Sequence, residues 1–165
     1  MPHRSPILRR LSLLVAGGLL LCFLACQKGV RFYSYQPVDP HGWSCLDTLR
    51  FELPADTIAS LNTYSLGARF SQRVEYSGLL LVLEQRANPT EGLVETLPPP
   101  RRDTLFLPLI HENGKLKGNG AVIHETEAVC TAAQTTPNTP LTLLVYHIMP
   151  MQEISGVLEI GLKVE

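Results

Sequence analysis

Hydrophobic and polar residues alternate along much of the chain with the period of two that is typical of β-strands. Leu49, Phe51 and Leu53 are separated by charged residues, which predicts a strand with one buried face. The same alternation recurs in three further segments, residues 64–71, 141–147 and 157–164. These four amphipathic strands therefore predict a β-sheet protein in which each strand has one face in the core.

Other segments give weaker or different strand signals. The continuous apolar run 79–83 predicts a strand that is buried on both faces, and residues 121–129 predict a weak strand. Leucines alternate in 105–109 around Pro108, which has no N–H to donate and therefore indicates an edge strand. Asn113-Gly114 then predicts a turn.

About seven short strands without an amphipathic helix predict an all-β fold, an antiparallel β-sandwich. A closed barrel of the same strands is the alternative. The longest break between strands, residues 86–102, contains Pro98-Pro99-Pro100. We interpret it as an extended loop within one domain, because neither half of the chain supplies a closed core by itself.

The N-terminus carries an export signal rather than a strand pattern. Three arginines, Arg4, Arg9 and Arg10, precede the apolar run 11–25, and Cys26 follows it directly. A basic start, an apolar centre and a small residue before a cysteine indicate a lipoprotein signal peptide, cleaved before Cys26 and acylated on its thiol. An uncleaved membrane anchor is the alternative, but the run is shorter than the ~20 residues that a spanning helix needs.

These signals divide the chain into three parts. Residues 1–25 are the lipoprotein signal peptide, 26–46 a lipidated tether that leads into the domain, and 47–165 the β-sandwich domain. The aromatic residues of the tether dock onto the edge of the domain in our interpretation, and an exposed Trp43 would instead indicate a ligand platform.

Charge and cysteines narrow the class of protein. After the signal, eleven basic and fifteen acidic residues leave a net charge of −4, which argues against a nucleic-acid partner and against a polybasic membrane patch. Attachment to the membrane is therefore assigned to the lipid on Cys26 alone. Cys45 and Cys130 are left over, and the sequence leaves open whether they form a disulfide or remain buried thiols.

The sequence offers no recognisable catalytic or metal site. It contains no nucleophile motif, and His111, His124 and His147 lack the ligand spacing of a metal site. The glycine-rich stretch 112–120 lacks the pattern of a phosphate loop. We therefore expect no enzymatic activity and no cofactor, and we interpret the spread of acidic residues as a solvated surface: Asp47, Glu52, Asp103, Glu112, Glu125 and Glu127.

Four segments in order resemble the gliding motility lipoprotein family GldH of the Bacteroidetes. They are Trp43 with Asp47-Thr48-Leu49-Arg50-Phe51, residues 64–66 through 76–81, residues 103–105 with 112–120, and residues 148–151 with 154–165. Each is weak alone, and their shared order over nearly the whole chain carries the resemblance.

The resemblance implies an envelope lipoprotein that serves the gliding and type IX secretion machinery by binding proteins, without a known ligand site. The alternative function is a glycan- or peptidoglycan-binding module, which would need a surface row of aromatic rings at Trp43, Tyr64 and Tyr76. Gln27-Lys28-Gly29 after the lipidated cysteine contains no acidic run. We therefore expect attachment to the outer membrane on its periplasmic face.

Overall fold

A computed structural model describes residues 32–39, 41–58, 63–88, 99–131 and 139–164. Within them lie ten strands and one helical turn, α1 (Ala55–Ile58), between the third and fourth strands. In chain order the strands are β1 (Phe32–Pro37), β2 (Trp43–Ser44), β3 (Leu49–Leu53), β4 (Thr63–Ser71), β5 (Gly78–Ala87), β6 (Arg101–Pro108), β7 (Ile123–Thr131), β8 (Leu141–His147), β9 (Glu153–Ile154) and β10 (Val157–Val164).

Eight of these strands form two four-stranded antiparallel sheets. The first sheet has the order β1-β10-β4-β7, the second has the order β3-β8-β5-β6, and β2 pairs with β9 as a separate short ribbon. The predicted fold class, an antiparallel all-β sandwich, is confirmed. Pro108 ends an edge strand, as predicted, because β6 pairs only with β5.

The core lies between the sheets and follows the alternation in the sequence. On β4, Tyr64, Leu66, Ala68 and Phe70 are buried, while the residues between them face outward or lie against neighbouring side chains. Each fully buried leucine or phenylalanine contributes about 1.5–3 kcal/mol by leaving water. The largest fully buried side chains are Trp43, Phe51, Phe70, Leu66, Leu79, Leu81, Leu83, Leu107, Leu109, Leu143, Ile154 and Ile160.

Two segments contribute more to the sheets than their sequence indicates. A weak strand was expected at residues 121–129, and the structure has a nine-residue strand two residues later, β7 (Ile123–Thr131), whose every residue pairs with β4. Within 26–46, assigned to the tether, β1 pairs with β10 at six positions and Trp43 of β2 is 1 % exposed. The signal peptide and Cys26 lie outside the described residues.

Strand directions give the domain two distinct ends. β1 begins and β10 finishes at one end, which we name the proximal end; β4, β6 and β8 also begin there, and β3, β5 and β7 end there. A hydrogen bond from Gln85 Nε2 to Tyr64 Oη joins the two sheets near this end. The opposite, distal end carries the segments 38–48, 72–77, 109–122 and 148–156.

Candidate functional site

The histidine, cysteine and acidic residues that were considered as candidate site residues do not come together in a reactive centre in the described part of the chain. No group of three or more histidine, cysteine or acidic side chains there could hold a metal ion. His111 lies exposed at the turn before Asn113, whereas His124 and His147 face the interior from different sheets. Among the described residues, no helix is long and apolar enough to cross a membrane.

His147 has a structural role at the distal end. Its Nδ1 accepts the Met149 N–H at 3.3 Å, so its Nε2 carries the proton and donates to the Trp43 carbonyl at 3.0 Å. Burial lowers the pKa of His147 below its usual value, although the contact with Trp43 and the charge of Asp47 oppose that shift. A neutral histidine therefore links β8 to β2.

His124 and Cys130 pack against the interior, and Cys45 lies partly exposed in the turn after β2. The His124 ring stacks on Phe70 with centroids 5.7 Å apart, and both ring nitrogens are buried without a hydrogen-bond partner. Cys45 and Cys130 are free thiols in this structure. Burial raises the pKa of Cys130 to about 11, so its thiol stays protonated at neutral pH.

The aromatic row required for glycan binding is absent from the surface. Trp43 and Tyr64 are 1 % and 4 % exposed, and the Tyr76 ring packs against the core while its hydroxyl donates to the Ser155 carbonyl. Because stacking on a sugar needs open ring faces, the glycan-binding alternative loses its support. The Trp43 indole instead donates to the Asp47 carbonyl at 3.2 Å.

The outer face of the first sheet carries a clamp of aromatic and charged side chains, which we name the Tyr35 clamp (Tyr33, Tyr35, Arg69, Glu125 and Glu159). The Arg69 guanidinium lies 4.0 Å from the Tyr35 ring centroid. It donates to Glu125 at 2.9 Å, to Glu159 at 2.8 Å and to the Tyr33 hydroxyl at 3.0 Å. One arginine thereby ties together all four strands of the sheet.

The clamp is internally satisfied. Burial opposes ionisation of Glu125, but the hydrogen bonds from Arg69 and Tyr35 outweigh it and lower the pKa of that carboxyl. Burial and the same carboxylate raise the pKa of Tyr35. With its charges paired inside the group, the clamp is better suited to fixing β1 on the sheet than to binding a ligand.

The outer face of the second sheet is different, because its distal half is apolar. Phe106 and Ile148, on either side of Leu80 in the register, are 53 % and 43 % exposed. In the next row Val82 lies between Thr104 and Tyr146; it is 5 % exposed yet is not part of the core cluster. We name Leu80, Val82, Phe106, Tyr146 and Ile148 the distal apolar patch.

A charged group borders this patch on its proximal side. The Glu84 side chain is 6 % exposed and is paired with Arg86 and, at 2.7 Å, with Arg102. Hydrogen bonds from Arg102 and Arg86 lower the pKa of Glu84 despite its burial. The side chains of Arg86 and Arg102 remain 53 % and 65 % exposed. We name these three residues the Glu84 group.

Sequence reasoning missed both outer-face features. Residues 79–83 were expected to be buried on both faces, but Leu80 is only partly buried and belongs to an uncovered sheet face. A continuous apolar run in an antiparallel, two-layer fold is the signal that could have indicated such a face. The Tyr35 clamp unites residues from four separate strands and has no local signal.

Comparison with known proteins gives one family. A family model described as GldH lipoprotein matches residues 30–164. A search of curated proteins finds no match.

Two solved structures of viral particles overlap weakly with the chain. A structure of infectious bursal disease virus Gt strain is 15 % identical over 80 % of this chain and 38 % of that chain, with a TM-score of 0.15. The 2.6 Å structure of T=1 particles derived from infectious bursal virus is 16 % identical over 80 % of this chain and 36 % of that chain, with a TM-score of 0.13. The chain thus spans less than two fifths of either viral chain, and TM-scores this low carry no structural argument.

Proposed function

The chain belongs to the GldH lipoprotein family, and from this premise we propose that it is a lipid-anchored, non-enzymatic accessory subunit of the gliding and type IX secretion machinery. It acts by holding a protein component of that machinery at the envelope membrane. The observation that carries the proposal is the distal apolar patch, since exposed apolar side chains grouped on the outer face of a sheet mark an interaction surface.

The short connection to the lipid anchor would place the distal apolar patch on the side of the domain away from the membrane. Phe32 is six residues after Cys26, so a fully extended connection spans about 20 Å at most. The proximal end of the domain then stays close to the bilayer, and the distal end points away from it. Of the eight exposed large hydrophobic residues in the described part of the chain, six lie towards that distal end: Leu46, Phe106, Val122, Ile123, Ile148 and Met151.

Acylation of Cys26 provides stable attachment in this proposal. Each buried CH₂ contributes about 0.8 kcal/mol, so two or three acyl chains hold a protein durably where one does not. The lack of an acidic run after Cys26 favours the periplasmic face of the outer membrane.

Replacement of the lipidated cysteine tests the proposal. Cys26→Ser in a deletion strain should give an unacylated protein by intact mass, absent from outer-membrane fractions, and should not restore gliding or secretion. Cys22→Ser, four residues earlier in the leader, is the matched control and should behave as wild type. Full function of the Cys26→Ser protein, or a deletion strain with normal gliding and secretion, would refute the proposal.

A further inference from the structure

We propose that the distal apolar patch and the Glu84 group together dock a partner protein that presents an apolar cluster flanked by carboxylates. The inference rests on the proposed function and specifies its binding surface. The partner's apolar cluster would cover the patch at the distal end, and its carboxylates would contact the Arg86 and Arg102 side chains nearer the membrane.

The apolar part of the argument comes from comparing the two sheets. An antiparallel sheet with a solvent-facing side normally alternates apolar inward and polar outward residues. The outer face of the first sheet is mostly polar, with Ser65, Arg69, Glu125, Glu127, Glu159 and Lys163, and its exposed aliphatic residues Ile123 and Val129 lie apart on the edge strand β7. The second sheet breaks the alternation over two successive rows across three strands. Solvent exposure does not explain five apolar or aromatic side chains in polar positions, whereas a covering partner does.

A cavity next to Phe106 extends this surface. It has a volume of about 670 Å³ and is lined by residues that include Phe106, Pro108, Ile110 and Lys117. A concave space beside an exposed aromatic ring can accept one large side chain of a partner, which is the usual arrangement at the centre of a protein interface.

Charge identifies the chemistry of the partner. The Glu84 carboxylate is enclosed between two guanidinium groups, so the Glu84 group carries a net positive charge on a protein whose net charge is −1. Both guanidinium groups keep donors facing solvent, and arginine binds carboxylates in a forked geometry. An acidic border on the partner therefore complements this surface.

The same charges argue against a second copy of the chain as the occupant. A two-fold axis that lies in the interface, runs across the strands and passes between the two groups would place the apolar patch of one copy on the Glu84 group of the other. A two-fold axis along the strands would bring the exposed arginines of both copies together. Neither arrangement matches apolar with apolar and positive with negative residues.

Site-specific photocrosslinking in native cells tests the docking surface. The full-length lipoprotein carries p-benzoylphenylalanine at Phe106 or at Ile148, and as a control at Ile123, an exposed apolar residue of the other sheet. Both patch positions should give an adduct of the same mass, and Ile123 should not. Sequencing of the crosslinked peptide should show an apolar segment with aspartate or glutamate beside it.

Charge dependence is the second arm of the test. Arg102→Gln, made in the Phe106 crosslinking protein, should lower the adduct yield about two- to fivefold, the change expected for one exposed charge pair. Arg73→Gln removes the same charge from an exposed distal turn and should leave the yield unchanged. Cooperative thermal unfolding of each variant shows that the domain is folded.

The outcomes separate this inference from the proposed function. An adduct between two copies of the chain, or a crosslinked peptide without acidic residues, overturns the docking surface. An adduct at Ile123 with none at Phe106 or Ile148 overturns it too, while partner binding as such survives. If no position gives an adduct and the deletion strain glides and secretes normally, both proposals fail.

Discussion

His147 gives the folded domain a pH dependence of known sign. Its folded pKa lies below the ordinary value of 6.5, so the unfolded chain binds a proton first as the pH falls. The stabilisation is complete above pH 6.5 and is lost as the pH drops towards the folded pKa. In urea unfolding, the wild type should therefore lose stability as the pH falls below about 6.5.

The variant His147→Gln should remove much of that loss, because glutamine keeps a donor for the Trp43 carbonyl but does not titrate. His111→Gln is the matched control, since its side chain is exposed at a turn, and should keep the wild-type slope. An unchanged slope in His147→Gln would contradict the assignment.

Gly161 and Gly67 face each other across β10 and β4 beneath the Tyr35 ring. A Cβ on Gly161 would overlap carbon atoms of that ring, so Gly161→Ala should destabilise the domain by about 1–3 kcal/mol. In a Tyr35→Ala background the ring is absent, so Gly161→Ala should lower the free energy of unfolding much less. Chemical unfolding of the four proteins measures this coupling, and additive effects would count against the close packing.

Arg69 joins four strands, so its loss should affect the whole first sheet. Arg69→Met should lower the free energy of unfolding by about 1–2 kcal/mol at neutral pH, because Glu125 and Glu159 lose their partner and the cation–π contact goes. Arg50→Met, which breaks an exposed pair with Glu52 within β3, should cost under about 0.5 kcal/mol.

The difference in stability between wild type and Arg69→Met should depend on pH because Glu125 titrates. Its folded pKa is lowered, so its stabilising contribution is present above the ordinary value of 4.5 and is lost as the pH falls through the folded value. The difference in the free energy of unfolding between wild type and Arg69→Met should therefore narrow as the pH falls below about 4.5. A difference that stays constant with pH would contradict the role of the carboxylates.

Strands with one buried and one solvent-exposed face were predictable from the sequence. β10 covers 157–164 as expected, because Ile160, Leu162 and Val164 alternate with outward residues. β7 looked weak because it places His124, Thr126 and glutamates on its two faces. β1 was missed as a strand because the turn-rich residues 36–42 favoured a tether, although Tyr33-Ser34-Tyr35-Gln36 does alternate. Both segments become strands because a well-formed neighbour supplies their hydrogen bonds.

The distal apolar patch could not be predicted from the sequence for a related reason. A continuous apolar run has the same sequence whether a second layer or a binding partner covers its outer side. Val82 is buried as expected whereas Leu80 is only partly buried, so the run predicted apolar positions but not that these two side chains lie on an outer sheet face. The Glu84 group depends on β5 and β6 being neighbours in register, and a single sequence does not contain that information.

The smallest unit that folds should include the strands before residue 47. A chain of residues 30–165 should unfold cooperatively, whereas residues 47–165 should not. The shorter chain lacks β1 and the buried Trp43, whose loss alone should cost about 3–5 kcal/mol. Circular dichroism during heating distinguishes the two outcomes. Equal melting of both chains would show that the first two strands are dispensable.

The pairing of the first strand with the last determines how the domain withstands pulling. If the lipid holds the chain before Phe32 and a partner pulls at the distal end, tension runs along β1 and slides it against β10. All six residue pairs then resist together, whereas a pull between the two chain termini opens them one at a time. Single-molecule stretching should give a higher rupture force between the N-terminus and the Asn113 turn than between the termini. Such a domain can transmit a steady mechanical load from a moving component to the membrane without coming apart.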